Sequence, residues 1–146
     1  FNFIKMFDEI KTKFEFSIVG NLKKYKLSNN NINLIDYVSD TKKLINIYDR
    51  NNITILPSYT EGSPNVVNES LSRKRPVIIF EDIDYIIKDK KGIFVSKRDP
   101  KSFSETAKNI IENYGDIQKE MEKNVLPMKK NMIKQISDII ESEVFN

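Results

Sequence analysis

The stretch that decides the fold is residues 53–80, ITILPSYTEGSPNVVNESLSRKRPVIIF. It runs from a short apolar segment through a polar loop into a helical pattern that opens at Pro64, and it ends in a second apolar segment. That last segment, Val77–Phe80, is apolar at every position, as in a strand buried on both faces of a parallel sheet. The stretch therefore predicts a strand–helix–strand unit whose loop lies at the carboxyl end of a strand, where α/β sheets bind ligands.

The alternation of strand and helix continues on both sides of this unit. Apolar segments predict strands at Phe14–Val19, Ile32–Tyr37, Ile53–Pro57, Val77–Phe80 and Ile93–Ser96. Helical patterns predict helices at Thr41–Arg50, Pro64–Arg73 and Pro100–Tyr114, a short turn at Ile86 and Ile87, and helix from Gly115 to the end, broken at Pro127. Asp99 is the predicted N-cap of the helix that begins at Pro100.

Such alternation predicts an α/β fold with a Rossmann-like, doubly wound parallel sheet. We expect residues 1–115 to form this domain and residues 116–146 to form a C-terminal helical tail that packs on it. Because Phe1 opens the chain and helical spacing begins at once with Ile4 and Phe7, we also expect the start of the domain to be truncated.

Composition narrows the chemistry. A chain of 146 residues that is 39% hydrophobic and 31% charged is typical of one globular domain. The absence of histidine and cysteine excludes Ser-His-Asp hydrolysis, cysteine nucleophiles and thiolate metal sites. No apolar run approaches the roughly 20 residues of a membrane span, and the mixed net charge of +3 does not favour a nucleic-acid surface. A cytoplasmic location fits this composition best.

The loop before the central helix carries features of an anion site. Gly62 permits close approach of a ligand to the backbone, and Ser63 is the predicted N-cap. The N–H groups of Asn65, Val66 and Val67 would then point out of the helix start, where the helix dipole also favours negative charge.

Two glutamates flank this junction. Glu69 shares a polar helix face with Asn65 and lies about 9 Å from the helix start at 1.5 Å per residue, too far to touch a phosphate bound there. It is within reach of the hydroxyls of an attached ribose, and Glu61 on the loop is within reach of the group beyond the phosphates. The geometry suggests a ligand of the form nucleoside–diphosphate–X. Taken singly, each glutamate also fits an ordinary solvent-exposed carboxylate.

The stretch PSYTEGSPNVVNESLSRKRPVI (57–78) resembles the signature of glycosyltransferase family 4, the retaining GT-B nucleotide-sugar enzymes. The matching positions are Pro57, Ser58, Glu61, Gly62, Glu69, Pro76, Val77 and Ile78. Similar matches are FEFSIVG (14–20), INLIDYVSD (32–40) and GIFVSKRDPKSFSETAKNII (92–111), so the resemblance extends from Phe14 to about Ile111.

This resemblance implies roles for individual residues. Glu61 would contact the transferred sugar, Glu69 the ribose hydroxyls, and Val38 the base, with Gly62 and Ser63 at the donor-binding loop. Asn65 and Val66 would donate backbone N–H groups to the diphosphate. The family needs no metal or other cofactor, and stabilisation of the leaving diphosphate would do most of the catalytic work.

The resemblance also implies partners. The donor would be a nucleotide sugar, and a glycan or lipid-linked acceptor would bind an N-terminal domain that this chain lacks. The parent enzyme would act in polysaccharide or glycolipid synthesis in the cytoplasm, with peripheral association at the inner face of the membrane left open. This chain alone would bind donor weakly and would not turn over.

Two departures from the family pattern motivate an alternative. Arg73, Lys74 and Arg75 replace a small residue and a glycine, and Glu81–Tyr85 replaces a Gly-Gly loop. According to this alternative, the chain is a non-catalytic nucleotide-binding module or a degenerate family member. Within that loop Asp82-Ile83-Asp84 also spells the Asp-x-Asp of metal-dependent GT-A enzymes, although it follows the wrong strand for that site.

Overall fold

A computed structural model describes residues 14–21 and 31–127, where strands and helices alternate. The strands are β1 (Phe16–Val19), β2 (Ile32–Ile35), β3 (Thr54–Ile55), β4 (Val77–Phe80) and β5 (Ile93–Ser96). The α-helices are α1 (Thr41–Arg50), α2 (Asn65–Ser72), α3 (Pro100–Glu112) and α4 (Tyr114–Met121), and a 3-10 helix covers Glu81–Ile86. The predicted Rossmann-like α/β fold is confirmed, with most strands and helices predicted for residues 14–114 extending one or two residues too far at an end.

The strands pair in parallel but form two sheets rather than the single predicted sheet. β1 pairs with β2, and β3, β4 and β5 form the second sheet in that order. Residues of β1 and β3 line one cavity together. Among the strands that the structure describes, β3 pairs with β4 in a short ladder, in which Thr54 and Ile55 lie opposite Val77 and Ile78.

The central strand β4 is buried on both faces. Val77 and Ile79 belong to a cluster with Val67 and Leu71 of α2, whereas Ile78 and Phe80 belong to a second cluster. The α3 members of that second cluster are Phe103, Ala107 and Ile110. Each buried Val, Leu, Ile or Phe side chain of these clusters stabilises the fold by about 1.5–3 kcal/mol when it leaves water. Helices therefore cover both faces of the sheet, as a doubly wound fold requires.

Two helix starts have side-chain caps. Asp40 caps α1 by accepting the N–H of Lys43 at 2.8 Å, and Asp99 caps α3 by accepting the N–H of Ser102 at 2.8 Å. The predicted cap at Asp99 is thus confirmed. Such caps are typically worth about 1 kcal/mol, and they fix the direction in which each helix leaves its loop.

One departure from the family pattern lies in the turn that ends α2. Lys74 has a φ of +53°, its N–H donates to the carbonyl of Leu71 at 3.0 Å, and the N–H of Arg75 donates to that of Ser70 at 3.0 Å. These two bonds form a Schellman motif, whose left-handed residue is usually glycine. Lys74 therefore occupies the position where a glycine would carry no steric cost.

Part of the predicted C-terminal tail lies within the described residues. α4 ends at Met121, so the helix predicted to continue to Pro127 is wrong over residues 122–127, where the chain forms a turn and coil. The Met121 side chain packs on the backbone of Gly92, where an added Cβ would lie 2.6 Å from it. Gly92 also has a φ of +86°, so two constraints favour glycine there. The predicted helix beyond Pro127 and the helical spacing at Ile4 and Phe7 lie outside the described residues. No helix within residues 14–21 and 31–127 has the length and hydropathy of a membrane-spanning segment.

Candidate functional site

Three loops meet at the carboxyl edge of the β3–β4–β5 sheet. They are residues 56–64 after β3, the 3-10 helix Glu81–Ile86 after β4, and residues 97–99 after β5. Because parallel strands all end at this edge, loops that are distant in sequence come into contact there. Hydrogen bonds connect the first loop to each of the other two.

Glu61 is held through both its backbone and its side chain. Its N–H donates to the hydroxyl oxygen of Tyr85 at 3.0 Å, and the same hydroxyl donates to the carbonyl of Glu61 at 2.7 Å. The Ser58 hydroxyl donates to the Glu61 carboxylate. The orientation of Glu61 is therefore set by the loop itself and by a residue 24 positions away.

Arg98 connects all three loops. Its Nη1 donates to the carbonyl of Pro57 at 3.0 Å, and its Nη2 donates to the carbonyl of Ser58. Its Nε donates to the carboxylate of Asp82 at 2.7 Å. The side chain is only 14% exposed, and its guanidinium carbon lies 3.8 Å from the ring centroid of Tyr59. Sequence analysis missed Arg98, because a single arginine between a strand and a helix cap has no periodic signal.

The ion pair between Arg98 and Asp82 involves the Asp82-Ile83-Asp84 sequence. Asp82 is paired with Arg98, and Ile83 is fully buried in the core. Within the described ranges, no group of three or more Asp and Glu side chains is placed to hold a metal ion. The carboxylate of Asp82 is therefore paired with the guanidinium of Arg98.

The start of α2 differs from the prediction by one residue. Pro64, not Ser63, is the N-cap, with φ −70° and ψ 115°, and no side chain caps the helix. Because Pro64 is extended, Ser63 is displaced from the first helical N–H groups, so the predicted Ser63 cap is wrong. Val67 donates its N–H to the Pro64 carbonyl at 3.2 Å, while no described residue accepts the N–H of Asn65 or Val66.

Glu69 lies on an exposed face of α2 and accepts a hydrogen bond from the hydroxyl of Tyr48 at 3.0 Å. Burial raises the pKa of Tyr48 above its usual range, and the hydrogen bond to Glu69 adds to this shift. Tyr48 therefore remains a protonated donor at neutral pH. Its position on α1 was not predicted to matter for the site.

The arginines that depart from the family pattern bind α1. Arg75 donates from Nε to the carbonyl of Tyr48 at 3.2 Å and from Nη2 to that of Asp49 at 3.0 Å. Arg73 forms a two-pronged ion pair with the Asp49 carboxylate, and this guanidinium lowers the pKa of Asp49. Both arginines thus connect α1, and with it Tyr48, to the end of α2.

A cavity of about 690 Å³ is lined by residues of β1, β3 and the helices α1 and α2. Among the predicted site residues, Val38, Val66 and Glu69 line it, together with Tyr48. Its other described lining residues are Glu15, Phe16, Ser17, Ile18, Val19, Gly20, Tyr37, Leu44, Ile47, Asn51, Ile53, Thr54, Ile55, Leu56 and Pro57. The structure therefore brings part of the predicted site to one largely apolar cleft.

The remaining predicted residues lie outside that cavity lining. Gly62 and Ser63 line a smaller pocket of about 30 Å³ with Asn68, Lys88 and neighbouring residues. The Oδ1 atom of Asn68 is buried there and accepts no hydrogen bond from the part of the chain that the structure describes. Glu61 and Asn65 line neither pocket.

Comparison with known proteins gives one family. A family model described as "Glycosyl transferases group 1" matches residues 2–113, which span both glutamates, the cavity and all five strands. A search of curated proteins found no significant match.

Proposed function

The chain belongs to the group 1 glycosyl transferases, and on that premise we propose that it binds the nucleotide-sugar donor of a retaining GT-B enzyme of glycosyltransferase family 4. Membership makes transfer of a sugar the general activity. The donor-binding role and retention of configuration at the anomeric carbon are the parts that we propose.

The proposed site is built around the start of α2. Glu69 accepts hydrogen bonds from the ribose, Val38 lies against the base, and the N–H groups of Asn65 and Val66 bind the diphosphate. Gly62 and Ser63 leave room for it, and Glu61 contacts the transferred sugar. The reaction needs no metal, because backbone N–H groups and the helix dipole stabilise the leaving diphosphate.

One observation carries this proposal. Val38, Val66 and Glu69 come from two separate segments of the chain and line the same cavity beside the start of α2. The N–H groups of Asn65 and Val66, which lack acceptors among the described residues, supply donors at the same helix end. An apolar cleft with a few convergent polar groups suits a nucleoside joined to an anion.

The wider assignment follows from the resemblance. We propose that residues 1–115 form the donor-binding domain, that residues 116–146 pack on it, and that another domain binds a glycan or lipid-linked acceptor. The hexosyl transfer would take place in the cytoplasm during polysaccharide or glycolipid synthesis, with peripheral association of the parent protein at the inner face of the membrane left open.

Ligand-induced stabilisation of the chain tests the donor site. The chain would be heated with UDP, GDP, ADP or CMP at millimolar concentration, and the unfolding midpoint measured. A ligand at 100 times its Kd adds about 2.7 kcal/mol of stability, so one nucleoside diphosphate should raise the midpoint clearly.

Two variants make this test specific. Glu69→Ala removes a charged acceptor and should weaken binding about 10- to 100-fold, whereas Glu105→Ala, an exposed carboxylate of α3, should change nothing. No shift with any nucleotide, or equal shifts in wild type and Glu69→Ala, would contradict the proposed site.

A further inference from the structure

Resting on the proposed function, we infer that Arg98 and Tyr85 are positioning residues that hold Glu61 in the orientation needed to contact the donor sugar. Neither residue belongs to the eight matching positions of the signature, and neither is among the residues expected to bind the donor. Their contacts join the loops after β4 and β5 to the loop that carries Glu61.

We call the contacts of Arg98 and Tyr85 with the Glu61 loop the clamp, and Arg98 forms its first half. Two of its nitrogens bind the consecutive carbonyls of Pro57 and Ser58, and the third binds Asp82. A planar guanidinium makes such bonds in a fixed fork, which a lysine cannot reproduce. The contact with Asp82 also pairs the guanidinium with a carboxylate of the loop after β4. Arg98 thereby fixes the backbone three residues before Glu61.

The second half is Tyr85. Its hydroxyl both accepts from the N–H and donates to the carbonyl of Glu61, so one atom restrains both ends of that residue. Ser58 completes the arrangement, because its carbonyl is bound by Arg98 while its hydroxyl binds the Glu61 carboxylate. Side chain and backbone of Glu61 are therefore both oriented.

The placement of Tyr85 favours positioning over general stabilisation. Tyr85 is 54% exposed and lies outside the buried core clusters, whereas the guanidinium carbon of Arg98 also lies 4.5 Å from the ring centroid of the core residue Phe80. The contacts of Tyr85 with Glu61 supply little burial but strong directional restraint. Displacement of a substrate-contacting group by about 1 Å is enough to lower a rate by on the order of 100-fold.

The test compares two affinities of the full chain. Calorimetry would give Kd for the nucleoside diphosphate identified above and for the matching nucleotide sugar, in wild type, Arg98→Lys and Tyr85→Phe. We expect both variants to keep the nucleoside diphosphate affinity within about 2-fold and to lose about 10-fold in the additional affinity that the sugar gives. An equal loss for both ligands, or no loss for either, would overturn the inference.

The matched control is Arg73→Met. Arg73 also donates through Nε and Nη2, and it pairs with an aspartate, but it joins α1 to α2 instead of holding the Glu61 loop. Its removal should leave the ratio of the two affinities unchanged. A ratio that changes as much in Arg73→Met as in Arg98→Lys would show a general effect of destabilisation.

A second measurement needs no ligand and separates this inference from the proposed function. Amide hydrogen exchange at residues 58–62 should be faster in Arg98→Lys and Tyr85→Phe and unchanged in Arg73→Met. If the wild-type chain bound no nucleotide, the proposed function would be contradicted. The amide exchange rates would still show whether Arg98 and Tyr85 restrain the loop that carries Glu61. Unchanged exchange in both clamp variants would overturn the clamp itself.

Discussion

Glu61 and Glu69 flank the start of α2, but the chain holds them in different ways. Glu61 lies on a loop and is restrained by Tyr85, Ser58 and, through the backbone, Arg98. Glu69 lies on a helix face and accepts a hydrogen bond from the side chain of Tyr48. The loop side therefore depends on contacts between strand ends, whereas the helix side depends on the regularity of α2 and on its hydrogen bond to α1.

The difference suggests that the two sides of the proposed site have separate roles in binding and transfer. The helix side lines the apolar cavity and would recognise the nucleoside, which needs shape more than a single fixed geometry. The loop side would act on the sugar, where the barrier depends on accurate placement of charge. Substitutions on the two sides should consequently affect different measurements.

The largest effect is expected for Glu61→Gln. The introduced amide would retain the hydrogen bond from Ser58, but the negative charge next to the transferred sugar would be lost. Glycosyl transfer by the active protein should fall on the order of 100-fold or more, while the affinity for the nucleoside diphosphate stays the same. Steady-state rates and calorimetry measure the two quantities.

The control for this substitution is Glu81→Gln, which removes an exposed carboxylate from the neighbouring 3-10 helix. It should leave the transfer rate close to that of wild type. If Glu61→Gln weakened nucleotide binding as much as it slowed transfer, the distinction between the two sides would be lost.

A smaller effect is expected for Tyr48→Phe on the helix side. Loss of the hydrogen bond to Glu69 should weaken nucleoside diphosphate binding by about 0.5–1.5 kcal/mol, roughly 2- to 10-fold. The additional affinity given by the sugar should not change. Tyr59→Phe, which keeps the ring beside Arg98, is the matched control and should leave the nucleotide Kd unaltered.

The pKa of Tyr48 gives this prediction a pH dependence. Because that pKa is raised, the hydroxyl remains protonated throughout the usual tyrosine range and ionises only above it. The contribution of Tyr48 should therefore be constant from about pH 6 to 9, below the ordinary tyrosine pKa. A Tyr48-dependent loss of affinity within that interval would contradict the assigned hydrogen bond.

The smallest effect is expected for Lys74→Gly at the end of α2. Glycine has no penalty at the positive φ of the Schellman motif, so the free energy of unfolding should rise by about 1 kcal/mol. That corresponds to roughly 3 °C in Tm for a chain of this length. The exposed ion pair with Glu122 is screened by solvent and should offset little of the gain.

The same substitution sharpens the comparison, because it stabilises the helix side without touching either glutamate. Neither the Kd for the nucleoside diphosphate nor the additional affinity given by the sugar should change. Lys119→Gly inside α4 is the control, and it should lower stability by about 1 kcal/mol. A Lys74→Gly protein less stable than wild type would show that the left-handed residue carries no strain.

Much of the arrangement of strands and helices was predictable from the sequence. The unbroken apolar run at Val77–Phe80 predicted a strand buried on both faces, and Asp99 followed by Pro100 predicted the start of α3. The polar face of α2 placed Glu69 on the exposed side of its helix. Ser63 was assigned as the cap by residue type, and the extended backbone of Pro64 overrode that preference.

Other features had no local signal. Arg73 and Arg75 suggested a degenerate member by pattern, yet they bind α1 and support Tyr48. The replacement of a Gly-Gly loop by Glu81–Tyr85 suggested the same, yet Asp82 is paired with Arg98. Each of these contacts joins residues that lie far apart in sequence.

The sequence by itself determined the order of strands and helices, the faces they bury and the two glutamates beside α2, because burial periodicity and capping are local properties. Only the tertiary structure decided what holds those glutamates. The contacts of Glu61 with Tyr85 and of Arg98 with Pro57 join residues 24 and 41 positions apart. Such contacts arise where parallel strands end at a common edge, and the spacing of residues along the chain does not encode which side chains meet there.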